Sequence, residues 1–272
     1  MAGIIRRLAC GAAPSPDCYM TLAPHLALNL LEPGVRDNVG GGYFGFQGRL
    51  AWSILNAVQS WQGAPSSGKL VINLSVGWDA RYNADELGGD AQAVRAARAA
   101  LEYAACSGAL VIAAVGNAAT GPSASSGPMY PAAWNQVAAP ACAGAARPLV
   151  YAVGGVDARD QPLGNARPGS RAPLAAPAFQ APGVMSLSGA PIVTGPFTGS
   201  SASAAVTSAV AAAVWHQNGA LTPQGVMDLV RASAVAGPDV ADFCAPGAPC
   251  TATRRVSLAR AVEMAASTTL AT

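Results

Sequence analysis

The sequence predicts an α/β fold, in which a parallel sheet is the middle of three layers and helices cover both of its faces. Continuous apolar runs at 69–74 and 109–115 are typical of strands buried on both faces. A run with helical spacing, 91–106, lies between them, and this alternation indicates parallel strands joined by right-handed crossovers. The composition, 51% hydrophobic and 11% charged, excludes a disordered chain and indicates a large, dry interior.

Gly, Pro and hydroxyl residues mark the ends of the predicted elements. Apolar residues recur at helical spacing over 48–61, and Gly108 is placed to end the helix 91–106 at its C-cap. No linker or internal repeat interrupts residues 1–272, so we predict a single domain. The other predicted elements are strands at 26–31 and 149–156, short strands and turns over 157–196, a helix begun by Thr222-Pro223, and a helix near 256–266.

One stretch organises the rest of the chain. Gly199, Ser200 and Ser201 precede a long run of small apolar residues that ends near Trp215, which predicts a buried helix entered through a tight turn. Ser201 falls in the first turn, where the positive end of the helix dipole could stabilise an oxyanion. On this stretch alone, the simpler interpretation is that Ser200 or Ser201 only caps the helix.

Three loops are expected to meet at one edge of the sheet. Residues 75–77 follow one predicted strand, Gly116 and Asn117 follow the next, and residues 199–201 precede the long helix. Ligands of open parallel sheets bind beyond the carboxyl ends of the strands. We therefore predict one binding site that draws on all three segments.

Composition also excludes several classes of function. The net charge is +2 and no basic run is present, which argues against nucleic acid as the main partner. The longest apolar run, 202–215, contains Ser and Thr and is too short to cross a bilayer. At the N-terminus, Arg6 and Arg7 interrupt a short apolar segment, so we interpret it as something other than a targeting signal.

The six cysteines predict disulfides. An even number with short intervening loops suits an oxidising compartment. A zinc site is disfavoured because the sequence has no Cys-x-x-Cys and no nearby His, while buried free thiols remain an alternative. The suggested pairs are Cys10 with Cys18, Cys244 with Cys250 and, on weaker grounds, Cys106 with Cys142.

Six motifs occur in the order found in one enzyme family. Val-Ile-Asn-Leu-Ser-Val-Gly at 71–77 resembles the Val-Ile-Asn-Met-Ser-Leu-Gly of the subtilisin-like serine peptidases (subtilases), and Gly-Ser-Ser at 199–201 resembles their Gly-Thr-Ser. Any one motif is weak, but six in order are specific. The other four are 110–117, which ends in Gly-Asn, Met-Tyr-Pro-Ala at 129–132, Tyr-Ala-Val-Gly-Gly-Val at 151–156 and Gln-Ala-Pro-Gly at 180–183.

The resemblance implies a serine endopeptidase of subtilisin-like fold that works through an acyl-enzyme. Ser201 would be the nucleophile, and Asn117 with the backbone N–H of Ser201 would be the oxyanion donors. An ordinary turn residue is the alternative for Asn117, and a flexible loop is the alternative for the glycines. The residues expected to flank an extended polypeptide substrate are Ser75, Val76, Gly77, Gly41 and Gly42.

The sequence departs from the family pattern at several places. Ala205-Val206 stands where the family commonly has Pro-His, which should let the helix run on unbroken, and Ala202 replaces the usual Met. The Asp-Ser/Thr-Gly and His-Gly-Thr-His motifs are absent. His216 would lie about 22 Å from Ser201 along the helix, and His25 falls in a Val-Ala-Pro-like segment beyond the family's catalytic histidine.

The start of the chain suggests a reason for these absences. Met-Ala-Gly-Ile-Ile at 1–5 resembles the Val-Ala-Gly-Ile-Ile that follows the family's His-Gly-Thr-His. We therefore expect an N-terminally truncated domain that lacks the central aspartate strand, and that is unstable or inactive alone because backbone groups lose their partners. The missing segment could act in trans, and the resemblance implies a secreted or cell-envelope protein.

Two other functions stay open. A non-catalytic subtilase relative could bind peptides or scaffold a partner, although retention of Ser201 and Asn117 disfavours it. An α/β-hydrolase or a nucleotide-binding fold is disfavoured because Gly-x-Ser-x-Gly, Gly-x-Gly-x-x-Gly and a Walker lysine are all absent. No cofactor or metal ligand is expected; the resemblance allows a structural calcium ion, but assigns it no ligands here.

Overall fold

The computed structural model describes residues 1–11, 18–28, 45–64, 68–82, 92–118, 126–135, 137–139, 142, 147–170, 172–187, 190–236 and 253–269. Its helices are Ala2–Cys10 (α1), Gln47–Gln62 (α2), Gln92–Cys106 (α3), Ser200–Gln217 (α4), Pro223–Ser233 (α5) and Leu258–Thr269 (α6). Its strands are Val71–Leu74 (β1), Leu110–Ala114 (β2), Ala138–Ala139 (β3), Arg147–Pro148 (β4), Tyr151–Val156 (β5), Leu174–Pro177 (β6), Ala181–Leu187 (β7), Ala190–Phe197 (β8), Val235–Ala236 (β9) and Arg254–Arg255 (β10).

The main sheet has six strands in the order β1-β2-β5-β6-β10-β9. The first five are parallel, and β9 pairs antiparallel with β10 at one edge. This confirms the predicted α/β fold with a parallel sheet. Within the described ranges β1 has a neighbour on one side only, so its other edge ends the sheet.

Strand β2 shows how the sheet separates two cores. Side chains alternate between the two faces of a strand, and all five residues of β2 are buried. Val111 and Ala113 pack with apolar residues of α2 and α3, whereas Leu110, Ile112 and Ala114 pack with those of α4, α5 and α6. The sheet is therefore the middle of three layers, as predicted.

Helix α4 is the most buried helix of the described chain. Thirteen of its 18 residues are buried, because its small apolar side chains leave no polar face. It contacts β1, β2, β5 and β6 of the sheet and packs against α1 and α6. The helix is continuous from Ser200 to Gln217, as expected where Ala205-Val206 replaces Pro-His.

Local signals placed the helix ends well. Thr222 caps α5, where its hydroxyl accepts a hydrogen bond from the N–H of Gly225 at 3.0 Å. Gly108 follows α3 with φ +90°, the conformation that glycine permits after a helix. The N–H of Ala109 then reaches the carbonyl of Ala104 at 3.0 Å and closes the end of α3.

Some elements differ from the expectation. The predicted strand at 26–31 is wrong for 26–28, which lie outside any strand, and 29–31 are outside the described residues. Helix α1 was not predicted; its Ile4 and Ile5 are buried against α4. The short strands β9 and β10 were not predicted either, since two residues carry no periodicity.

Two of the three suggested disulfides are confirmed. Cys10 pairs with Cys18, and Cys106 pairs with Cys142, while Cys244 and Cys250 lie outside the described residues. Across the described ranges no helix has both the length and the apolar character needed to cross a membrane. The same part of the chain contains no group of three or more His, Cys, Asp or Glu side chains that could hold a metal ion.

Candidate active site

The site lies where the carboxyl ends of β1 and β2 meet the first turn of α4. Gly199 precedes this turn, and a Cβ atom there would lie 2.8 Å from Nδ2 of Asn117. Only glycine leaves room for the Asn117 side chain at that point. The sequence Gly-Ser-Ser therefore brings the start of α4 into contact with the residue that follows β2.

Ser200 is fixed by the end of β2. It is 2% exposed, and its backbone N–H donates to Oδ1 of Asn117 at 2.9 Å. Its hydroxyl donates to the same oxygen at 3.2 Å and accepts from the N–H of Gly116 at 3.1 Å. Because a backbone N–H can only donate, the atom of Asn117 that faces Ser200 is its acceptor oxygen, and Nδ2 is the atom beside Gly199.

Ser201 faces the end of β1 instead. It is half-buried, and its hydroxyl donates to the carbonyl of Ser75 at 3.3 Å. The hydroxyl of Ser75 in turn donates to the carbonyl of Ser201 at 2.9 Å. The two serines thus exchange hydrogen bonds, and the Ser201 hydroxyl is held by one long bond to a backbone oxygen.

A chain of polar side chains supports Ser75 from within β1. Nδ2 of Asn73 donates to the Ser75 hydroxyl at 3.0 Å. The hydroxyl of Ser208, two turns along α4 from Ser201, donates to Oδ1 of Asn73 at 3.2 Å. These bonds join β1 to α4 at two levels, so the position of Ser201 relative to Ser75 is set by the core as well as by the loop.

The predicted substrate-flanking residues divide into two groups. Ser75 and Val76 are half-buried and Gly77 is exposed, all directly after β1. Gly41 and Gly42 lie outside the described residues. The described part of the site therefore contains one of the two segments that were expected to pair with an extended polypeptide.

Met129 is a site residue that the sequence analysis gave no role. Its backbone N–H donates to the carbonyl of Val115 at 2.9 Å, which places its side chain between the ends of β1 and β2. A Cβ on Gly116 would lie 2.6 Å from Cγ of Met129, and one on Gly77 would lie 3.3 Å from its Cβ. The Met129 side chain therefore lies between the two strand ends, with its Cβ beside Gly77 and its Cγ and thioether beside Gly116.

Three aromatic rings, those of Trp78, Tyr130 and Trp134, pack together next to Met129, and these segments are here called the wall of the site. Trp78 and Tyr130 exchange backbone hydrogen bonds of 2.7 and 2.9 Å, and their ring centroids are 5.8 Å apart. Trp134 contacts both rings edge-on. The Met-Tyr-Pro-Ala motif at 129–132 indicated this segment, but its contact with the end of β1 depends on tertiary structure that no local pattern encodes.

Neither histidine is shown in contact with Ser201 among the described residues. His216 is the last residue but one of α4, and its ring stacks on Tyr19 with centroids 4.2 Å apart. His25 is exposed in the segment 18–28. Neither imidazole hydrogen bonds to Ser201 in the described structure, so the arrangement contains a hydroxyl and candidate oxyanion donors without an adjacent base.

Comparison with known proteins agrees with this geometry. The sequence profile described as "Subtilase family" matches residues 37–256. This chain belongs to the subtilase family. None of the curated proteins matches the sequence.

Solved structures of subtilases share the fold. The prenylagaramide maturation protease PagA has a TM-score of 0.53 and 23% identity over 84% of this chain. The serine protease MycP1, a component of the type VII secretion system, has a TM-score of 0.55 and 24% identity over 79% of this chain. A protease of Pseudoalteromonas arctica has a TM-score of 0.55 and 21% identity over 83% of this chain. The subtilase chain spans 71%, 57% and 60% of the lengths of these three structures.

Proposed function

We propose that this subtilase is a serine endopeptidase whose nucleophile is Ser201 and whose oxyanion donors are the Asn117 amide and the backbone N–H of Ser201. The single observation that carries the proposal is the meeting of residues 75, 117, 200 and 201 at the carboxyl edge of the sheet. Membership of the family supplies the reaction class. N–H groups in the first turn of a helix have no acceptor within the helix, so the Ser201 N–H is free to serve an oxyanion.

The proposed reaction is acyl transfer. The Ser201 oxygen forms a bond to the substrate carbonyl carbon while its proton passes to a base, and the carbonyl electron pair moves onto the oxygen. Collapse of this tetrahedral species breaks the C–N bond, and the amine leaves with the proton. Water then releases the acyl group from Ser201. An extended polypeptide would pair with the backbone of residues 75–77 and of Gly41 and Gly42.

The base is the missing component. His216 stacks on Tyr19 and His25 is exposed, and neither bonds to Ser201. We propose that this chain is inactive by itself, and that a polypeptide segment carrying the histidine and aspartate of the triad completes it in trans. The edge of β1 that has no neighbour among the described strands is the place where an added strand would pair.

A secreted or cell-envelope location belongs to the same proposal. The disulfides Cys10–Cys18 and Cys106–Cys142 support it, because disulfides persist in oxidising compartments and are rare where glutathione keeps thiols reduced.

Added imidazole tests the proposal directly. A fluorophosphonate should label Ser201 slowly in buffer and faster in proportion to added imidazole, because the imidazole supplies the proton acceptor that the site lacks. Ser201→Ala should abolish labelling, and Ser203→Ala is the matched control, since Ser203 lies fully buried on the same helix. Mass spectrometry of the labelled peptide identifies the residue.

Each other outcome has a definite meaning. Rapid, stoichiometric labelling of Ser201 without imidazole would show that a base is already present and would overturn the inactive state. A folded protein that resists labelling with and without imidazole would overturn Ser201 as nucleophile. The second candidate function is that of a non-catalytic peptide-binding protein, because neither histidine side chain bonds to Ser201. Saturable peptide binding without any labelling of Ser201 would support it.

A further inference from the structure

A buried ion pair lies behind the site and is not used by the proposed chemistry. Nη2 of Arg167 is 2.7 Å from Oδ2 of Asp79, and both side chains are 1% exposed. Asp79 belongs to the loop after β1, and its Oδ1 accepts from the backbone N–H of Arg81 at 3.1 Å. Arg167 belongs to residues 165–170, here named the clamp loop.

Arg167 also holds a third segment. Its Nε donates to the carbonyl of Gly127 at 2.6 Å, and the N–H of Gly127 donates to the carbonyl of Pro168 at 2.7 Å. Gly127 lies two residues before Met129, which fills the gap between the ends of β1 and β2. One guanidinium therefore ties the clamp loop to both segments that form the wall of the site.

The clamp loop contacts the candidate catalytic residues on its other side. The carbonyl of Asn165 accepts from the N–H of Ala118 at 2.9 Å, and Ala166 forms a backbone bridge with Asn117. Nδ2 of Asn165 donates to the carbonyl of Thr198 at 2.9 Å, directly before Gly199. A shift of this loop would move Asn117 relative to the first turn of α4.

Stability alone is a poor reason for such a pair. Burying two charges costs free energy that the attraction between them often only repays, and apolar residues of similar volume can replace a buried pair without loss. Nη1 of Arg167 is buried and has no hydrogen-bond partner in the part of the chain that the structure describes, which adds to that cost. The fork geometry of arginine, by contrast, suits holding two acceptors at fixed positions.

We infer that Arg167 is a positioning residue that fixes the loop after β1, the segment before Met129 and, through the clamp loop, Asn117. The inference rests on the proposed function, because the loops that Arg167 joins are those proposed to bind the polypeptide and to stabilise the oxyanion. Its basis is the geometry of Arg167, Asp79 and Gly127.

A pair of variants separates positioning from charge compensation. Arg167→Met alone leaves Asp79 buried without this partner and should lower the melting temperature. The double variant Arg167→Met/Asp79→Leu removes both charges and should recover most of the loss. If Arg167 positions the loops, the double variant should still exchange the Ala118 and Gly127 amides at least about tenfold faster than the native protein. The amide of Val115, bonded to Val153 within the sheet, is the internal control.

Peptide affinity gives the functional readout. The probe is a dansylated hexapeptide of alanines with a C-terminal phenylalanine amide, and its Kd should rise about tenfold in the double variant. If the native protein does not bind the probe, the proposed function loses support, while amide exchange still decides the role of Arg167. Native exchange and native affinity in a double variant of recovered stability would overturn the inference.

A conservative variant covers the case in which the double variant does not fold. Arg167→Lys keeps the charge beside Asp79 but has a single ammonium group in place of the fork. Faster exchange at Ala118 and Gly127 in this variant, with a melting temperature close to native, supports positioning. Native exchange at both amides would overturn it.

Discussion

Ser200 and Ser201 are neighbours in the same turn of α4, but the carboxyl ends of two adjacent strands, β2 and β1, hold them in different ways. The end of β2 holds Ser200 through three hydrogen bonds, and Ser200 is 2% exposed. The end of β1 holds Ser201 through an exchange with Ser75, and Ser201 is half-buried.

The difference separates a structural anchor, Ser200, from the proposed nucleophile, Ser201. Successive helix residues point about 100° apart, so one serine can bond to β2 while the next faces β1. Loss of the Ser200 bonds would leave buried donors and acceptors unpaired. The Ser201 hydroxyl would give up only a 3.3 Å bond to a carbonyl if it turned toward a substrate.

The largest expected effect comes from Asn117→Asp. The new carboxylate still accepts from the Ser200 N–H at a helix N-terminus, where negative charge is favoured, so the melting temperature should stay close to native. It cannot donate to an oxyanion, and imidazole-assisted labelling of Ser201 should fall by about 10²–10³. Labelling kinetics with thermal unfolding of the same samples measure both. Native labelling rates would remove Asn117 from the oxyanion site.

Ser200→Ala should mainly lower stability, whereas Asn117→Asp should mainly lower labelling. The change takes away the acceptor of the Gly116 N–H and one of the two donors to Oδ1 of Asn117, which keeps the backbone N–H of residue 200, and the free energy of unfolding should fall by about 1–3 kcal/mol. Urea unfolding of Ser200→Ala and Ser201→Ala in parallel makes the comparison, and the second variant should lose less. Equal losses would mean that the two serines are equivalent structural caps.

Much of this arrangement could be predicted from the sequence, because it depends on local sequence patterns. Small apolar residues after Gly-Ser-Ser predicted α4, and apolar runs predicted the carboxyl ends where Ser75 and Asn117 lie. Only tertiary packing shows that Asn117 bonds to Ser200 and that Met129 reaches both strand ends. Arg167 carried no signal, because an arginine in a polar turn is ordinarily exposed and its partner Asp79 lies 88 positions away.

A smaller effect is expected from Met129→Ala on the β1 side of the site. Alanine keeps the Cβ beside Gly77, but removing the thioether opens space beside Gly116, which a large substrate side chain could then enter. Burial of that side chain is worth about 1–2 kcal/mol, so the phenylalanine hexapeptide should bind roughly tenfold tighter than to the native protein.

An all-alanine hexapeptide is the control for this change. Its affinity should be nearly the same for the native protein and Met129→Ala, since it has no side chain to enter the gap. Fluorescence titration of both peptides gives the ratio. Equal gains in affinity for both peptides would show that the variant loosens the binding site in general. Met129 would then have no part in selecting a side chain.

The smallest effect is expected at the amino ends of the parallel strands, opposite the site, where Tyr151 begins β5. Its hydroxyl donates to Oε1 of Gln224 at 2.7 Å. Burial, followed by the charge of Asp228, raises the pKa of Tyr151 above its ordinary value of 10.0. Tyr151→Phe should lower the free energy of unfolding by about 0.5–1.5 kcal/mol at pH 7, and should leave labelling of Ser201 unchanged.

The pH dependence of that variant has a definite sign. Because the pKa of Tyr151 is higher in the folded state, the unfolded chain loses the proton first as the pH passes 10, and the native protein then loses stability. Tyr151→Phe has no such group, so the stability gap between the two proteins should shrink as the pH rises above 10.0, the ordinary pKa of tyrosine. Urea unfolding at a series of pH values measures the gap. A constant gap would contradict the raised pKa, and a change in labelling would contradict the separation between the two ends of the parallel strands.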